Sequence, residues 1–128
     1  MFVLGRSIGS GPATQLALNH RGLGGLILES PFSSIDEAAC QFWYFRIYPV
    51  GLMLRTHFDN LMKIRSVRVQ LLIASGTADT LTPIWMACNI FARANQPERF
   101  YAFPGVGHND LQTSGGAALE RVLQEFVQ

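Results

Sequence analysis

Apolar and polar positions alternate along this chain in two rhythms. Short runs with hardly a polar residue are separated by longer stretches in which apolar residues return every third or fourth position. The first run is Phe2, Val3 and Leu4. The second covers residues 23–30, ending in Glu29 and Ser30 before Pro31. The third is residues 69–74 and the fourth residues 100–103. Continuous apolar runs of this length predict strands buried on both faces. Between the first two, Pro12 suits the first turn of a helix, with Ala13, Leu16 and Ala17 at helical spacing and residues 19–22 as its end. After the third, Thr82 is placed to cap a helix that has Pro83 in its first turn and carries Trp85, Ala87, Ile90, Phe91 and Ala94; residues 95–97 stop it. Residues 117–128 place Leu119, Val122, Leu123 and Phe126 on one face of a closing helix.

Residues 32–66 are less regular. Ser34 and Glu37 fit a capping box, residues 40–48 are densely aromatic, residues 49–51 break the pattern, and residues 52–55 form a second helical piece. The aromatic run reads as packed core or as the apolar wall of a pocket. Strands alternating with helices predict an α/β class, a mostly parallel sheet of about four strands joined by crossover helices. No repeat or low-complexity tract divides the chain, which reads as one domain over residues 1–128.

Composition adds little to this picture. The chain is 48% hydrophobic and 15% charged, on the apolar side of ordinary domains. A net charge of +1 gives no reason to expect nucleic acid. No apolar run is long enough to cross a membrane, and no signal peptide opens the chain, so localisation stays unassigned. Cys40 and Cys88 lack metal or redox spacing and are expected to be buried thiols. His20, His57 and His108 do not fall at metal-ligand spacing, so neither metal nor cofactor is expected. His20 reads as a helix-end residue and His57 as a solvated one.

Chemistry concentrates where the strands end. Gly5, Arg6, Ser7, Ile8 and Gly9 fit G-x-S-x-G, in which a serine sits on a strained strand-to-helix turn and glycines leave room beside it. No lysine follows, and the run fits neither glycine-rich phosphate-binding pattern. In an open parallel sheet, functional groups gather at the carboxyl ends of the strands. Ser7 follows the first strand, Asp79 the third and His108 the fourth. A serine hydroxyl must lose its proton to attack, an imidazole can take it near neutral pH, and a carboxylate can hold that imidazole in one tautomer. The backbone N–H of Ile8 is the expected oxyanion donor. Asp110 is a rival acid, read instead as an Asx group stabilising its loop; Asp36 and Asp59 read as surface or capping residues.

The stretches GRSIGSGPA, LILESPFSSI, PVGLMLRTHFDNLMKI, IASGTADTLTP and FPGVGHND cover almost the whole chain. They resemble the carboxyl-terminal half of the α/β-hydrolases, and within them the Bem46-like branch, relatives of alpha/beta hydrolase domain-containing protein 13. The resemblance implies that Ser7 is the nucleophile, Asp79 the acid and His108 the base, with residues 32–66 as a lid-side insertion near the substrate. Gln70 departs from the proline common before that strand. The family's elbow follows its fifth strand; the resemblance therefore implies an amino-terminally truncated domain lacking strands one to four and the loop that supplies a second oxyanion donor. The elbow strand is then expected at an open edge. Two functions stay open: a serine hydrolase cleaving small-molecule esters, thioesters or amides through an acyl-enzyme, or a fragment without activity of its own that associates through its exposed first strand.

Overall fold

Parallel strands cannot be joined by tight turns, so each must be followed by a crossover, and this chain supplies one after every apolar run. A computed structural model describes residues 1–34, 59–95 and 98–128. Its strands are β1 (Phe2–Arg6), β2 (Gly25–Glu29), β3 (Leu71–Gly76) and β4 (Glu98–Phe103), and its helices α1 (Ser10–Asn19), α2 (Asn60–Lys63), α3 (Ile84–Arg93) and α4 (Gly116–Val127). The four strands form one sheet in the order β1-β2-β3-β4. Every pairing is parallel, with Arg6 opposite Glu29, Glu29 opposite Ala74, and Gly76 opposite Phe103. The sequence-based expectations for residues 35–58, including Asp36, Glu37, Cys40, the aromatic run, the second helical piece and His57, lie outside the described residues.

Burial follows the runs. Every residue of β2 and β3 is buried, whereas β1 and β4, with a neighbour on one side only among the described residues, are partly exposed. On one face Leu26, Leu28, Leu71 and Ile73 pack with Ala13 and Ala17 of α1 and Ala87 and Ile90 of α3. On the other, Ile27 and Leu72 pack against Phe126 of α4, and Ala74 against Leu111 and Leu119. Each fully buried aliphatic side chain here contributes roughly 1.5–3 kcal/mol over leaving it in water.

The elements differ from expectation at their ends. β1 extends to Arg6 and β3 to Gly76 because the pairing continues past the apolar residues. β4 starts at Glu98, two polar residues before the run at 100–103, because Glu98 and Arg99 still pair with Leu71 and Leu72. Thr82 does not cap α3: the helix starts at Ile84 behind Pro83, and the Thr82 hydroxyl turns to Asp79. Cys88 is exposed rather than buried, because Met86, Ala87 and Ile90 occupy the inward side of α3. Asp59 caps α2, its carboxylate accepting the Met62 N–H at 3.2 Å. No described helix is long and apolar enough to cross a membrane.

Candidate active site

β1 ends at Arg6 and a single 3₁₀ turn, Ser7–Gly9, leads into α1. The change of direction is taken at Ser7, whose φ of 51° is left-handed. For a non-glycine residue that conformation costs on the order of 1–3 kcal/mol and persists only where surrounding packing enforces it. Gly5 is part of that packing: a Cβ there would lie 2.5 Å from the Ala13 Cβ and 2.6 Å from the Gly9 carbonyl. Gly9 does not have the role expected of it. A Cβ at Gly9 meets nothing within 4 Å, and its backbone is ordinary right-handed helix, so only one glycine of the pair makes room.

Asp79 stands three residues beyond the end of β3. Its carboxylate is fixed by its own loop: Oδ1 accepts the N–H groups of Leu81 at 3.0 Å and Thr82 at 2.8 Å, and Oδ2 accepts the Thr82 hydroxyl at 2.8 Å. The loop after β4, carrying His108, is stitched to the same region. Thr77 N–H donates to Phe103 O, Ala78 N–H to Val106 O, and Gly105 N–H to Thr77 Oγ1. Gly76 permits this approach, since a Cβ there would fall 2.0 Å from the Val106 carbonyl oxygen.

The result is one line of contacts. His108 Nδ1 lies 2.8 Å from Asp79 Oδ2 and His108 Nε2 lies 2.9 Å from Ser7 Oγ. Asp79 is 4% exposed and Thr82 1%, while His108 and Ser7 are half-buried, so the line runs from protein interior to an accessible hydroxyl. With its proton on Nδ1, the imidazole donates to Asp79 and presents the Nε2 lone pair to the Ser7 hydroxyl, the arrangement needed to take up that proton. Ile8, whose backbone N–H follows the serine, lies within the turn at the head of α1.

Ser7, Asp79 and His108 are therefore brought together, and the rivals are not. Asp110 is exposed, and the bonds organising its turn, from Ser114 N–H and Thr113 Oγ1, fall on its main-chain carbonyl rather than its carboxylate. His20 ends α1, its N–H donating to Leu16 O. No group of three His, Cys, Asp or Glu able to hold a metal occurs among the described residues. A groove of about 480 Å³ lined by Met1, Leu16, His20 and Leu23 lies at the amino-terminal edge of the sheet, the opposite end from Ser7. Residue patterns gave no role to Thr82 at the site, to Gly76, or to Glu29, a carboxylate 1% exposed at the end of β2. Only Glu29 left a signal, as the one charge in its apolar run.

Two comparisons of sequence and two of structure bear on the fold. No protein-family model matches the chain. An uncharacterised protein of Mycobacterium tuberculosis is 30% identical over 123 residues, covering 96% of this chain and 43% of that protein. Human alpha/beta hydrolase domain-containing protein 17B is 29% identical over 131 residues, covering 99% of this chain and 41% of that protein. This chain thus spans less than half the length of either relative. A monoacylglycerol lipase of Paleococcus ferrophilus superposes with a TM-score of 0.77 at 15% identity, over 98% of this chain and 67% of that one. An esterase of Pyrococcus furiosus superposes with a TM-score of 0.78 at 16% identity, over 98% of this chain and 52% of that one. The chain has the α/β-hydrolase fold and is placed by it in the α/β-hydrolase superfamily.

Proposed function

We propose that this chain carries the catalytic residues of a serine hydrolase acting on esters, thioesters or amides, within the Bem46-like branch that its sequence stretches resemble. The observation that carries this reading is the Ser7 Oγ at 2.9 Å from a histidine nitrogen whose other ring nitrogen is 2.8 Å from a buried carboxylate. Ser7 Oγ attacks the substrate carbonyl carbon as its proton passes to His108 Nε2. The negative charge that develops on the carbonyl oxygen is met by the Ile8 N–H. Collapse expels the alcohol, thiol or amine, which leaves with the proton from Nε2. Water then attacks the acyl-serine, giving its proton to Nε2, and the acid product departs as Ser7 recovers its hydrogen. Asp79 stabilises the imidazolium formed in each half and stays ionised throughout. The names of the solved neighbours, a lipase and an esterase, favour ester substrates.

Fluorophosphonate labelling tests this reading: Ser7 is expected to label and the Ser7→Ala chain not to. Labelling of Ser7→Ala at an undiminished rate, or none in the unaltered chain, would sink it.

A second reading is favoured by one feature. β1 exposes its free side, with Leu4 at 49% and Ile8 at 55% exposure, directly beside Ser7. Unpaired strand edges recruit further strands. On this reading the residues are arranged for catalysis but act only when another strand covers β1, from a second copy or from further hydrolase sequence. A single missing oxyanion donor lowers the rate by about 10²–10³. Sedimentation of the chain as a strict monomer that also labels fully at Ser7 would remove this reading.

A further inference from the structure

Glu29 closes an otherwise apolar strand and is 1% exposed. Its Oε2 has no hydrogen-bond partner, while the carboxyl group accepts a hydrogen bond from the Gln112 side chain and feels the charge of Arg6. A leucine would continue the apolar face of Gly25 and Ile27 without the cost of burying a carboxylate. The position of this charge is specific. Arg6 stands opposite Glu29 in the parallel register, so both side chains lie on the α4 face of the sheet. Arg6 precedes Ser7. On the other side Glu29 is opposite Ala74, against which Leu111 packs, and Gln112 follows Leu111, four residues beyond His108.

We propose that Glu29 is a positioning residue for the candidate site: through Gln112 it holds the segment carrying His108, and through Arg6 the strand end presenting Ser7. The inference rests on reading Ser7 and His108 as the reacting pair. Neither neighbour reaches the reacting atoms; each fixes a segment that does. His108 and Ser7 come from loops 101 residues apart in the chain, and a 2.9 Å contact between them needs both loops referred to one rigid point. Glu29 is such a point, because β2 lies inside the sheet between the strand of Ser7 and the strand of Asp79.

The test uses three variants of the full chain. Gln112→Leu removes the hydrogen bond at an exposed position, so the fold is retained. Glu29→Gln removes the charge. Glu29→Gln with Gln112→Glu restores an amide–carboxylate pair with donor and acceptor exchanged. Two readouts are followed. The first is the NMR resonance of the His108 Nδ1 proton, which reports its bond to Asp79. The second is the rate of fluorophosphonate labelling at Ser7. In Gln112→Leu the resonance is expected to broaden or vanish and labelling to slow by between about tenfold and 10²-fold, the scale of a displacement near 1 Å. The exchanged double variant recovers both. An unchanged resonance and an unchanged labelling rate in Gln112→Leu overturn the proposal, whatever Glu29→Gln does. Where no chain labels, the reacting-pair reading fails by itself, and the His108 resonance alone decides whether Glu29 positions that loop.

Discussion

Thr82 Oγ1 lies 2.8 Å from Asp79 Oδ2 and 3.0 Å from His108 Nδ1, so one buried hydroxyl touches both partners behind the serine. Its proton goes to the carboxylate, which can only accept, while its lone pair faces the imidazole N–H. Asp79 thereby receives four donors, two on each oxygen. Thr82→Val keeps the shape and removes the hydroxyl. The expected outcome is a loss of about 1–3 kcal/mol in folding stability, the cost of leaving a buried polar partner short of a bond. Labelling at Ser7 should slow in parallel, and Thr82→Ser should retain both properties. Urea unfolding and labelling rates check this; a valine variant equal to the parent in both measures would contradict it.

The two elbow glycines should separate cleanly. Gly5→Ala pushes a methyl group to within 2.5 Å of the Ala13 Cβ and 2.6 Å of a carbonyl oxygen. Overpacking of this kind costs roughly 1–3 kcal/mol or more. Gly9→Ala has open space and a φ of −68°, so it should be neutral or gain about 0.4–1 kcal/mol by restricting the unfolded chain. Denaturant midpoints of the two variants decide the point. A Gly9→Ala chain as damaged as Gly5→Ala would mean that the turn is more crowded than the packing around it indicates.

The fold and the site were legible to different depths. Strand existence and order followed from apolar runs, because a strand buried on both faces has no room for polar residues, and β2 and β3 are such strands. Strand ends did not follow, since pairing through Glu98 and Arg99 is a matter of main-chain hydrogen bonds that side-chain pattern does not record. Ser7, Asp79 and His108 were legible because each falls just after a strand and the topology aligns those ends. Thr82 was misjudged because threonine before proline is also a sound helix cap, and only the tertiary position of Asp79 decides where the hydroxyl turns. Gly76 was missed because its constraint comes from Val106, thirty residues away, and local sequence carries no trace of it.

Asn60 ties the insertion to the elbow. Its side-chain nitrogen donates to Ser10 Oγ at 3.0 Å and to Phe32 O at 2.7 Å, and the neighbouring Leu61 N–H donates to Ser33 O. The two ends of the segment over residues 35–58 are thus joined to each other and to the first residue of α1. Asn60 is fully buried. Asn60→Ala is expected to destabilise the chain by about 1–3 kcal/mol, for two lost bonds and a buried hydroxyl left with one partner fewer. Amide hydrogen exchange offers a sharper check than a midpoint. Protection should fall at Leu61 and in the first turn of α1 and hold in β3; a uniform loss across the sheet would speak against a local tie.

Stability should also fall with rising pH in a way that Glu29 accounts for. Burial raises the Glu29 carboxyl above its ordinary value of 4.5, outweighing the lowering effects of Arg6 and of the Gln112 hydrogen bond. In the unfolded chain the group loses its proton near 4.5, whereas in the folded chain it keeps the proton to higher pH. Between those two points the folded state binds more protons than the unfolded one, so stability declines as pH rises. The contribution is fully present below the unfolded value and gone above the folded one. Glu98 is raised by burial as well and adds a decline of the same sign, so the parent chain alone does not isolate Glu29. The difference between parent and Glu29→Gln does, because the amide does not titrate. Urea unfolding from about pH 4 to pH 8 should show the parent losing stability relative to the variant as pH rises, with the gap levelling off once Glu29 is ionised in both states. Parallel curves across that range would show that the Glu29 carboxyl titrates alike in folded and unfolded chains and bears no burial penalty.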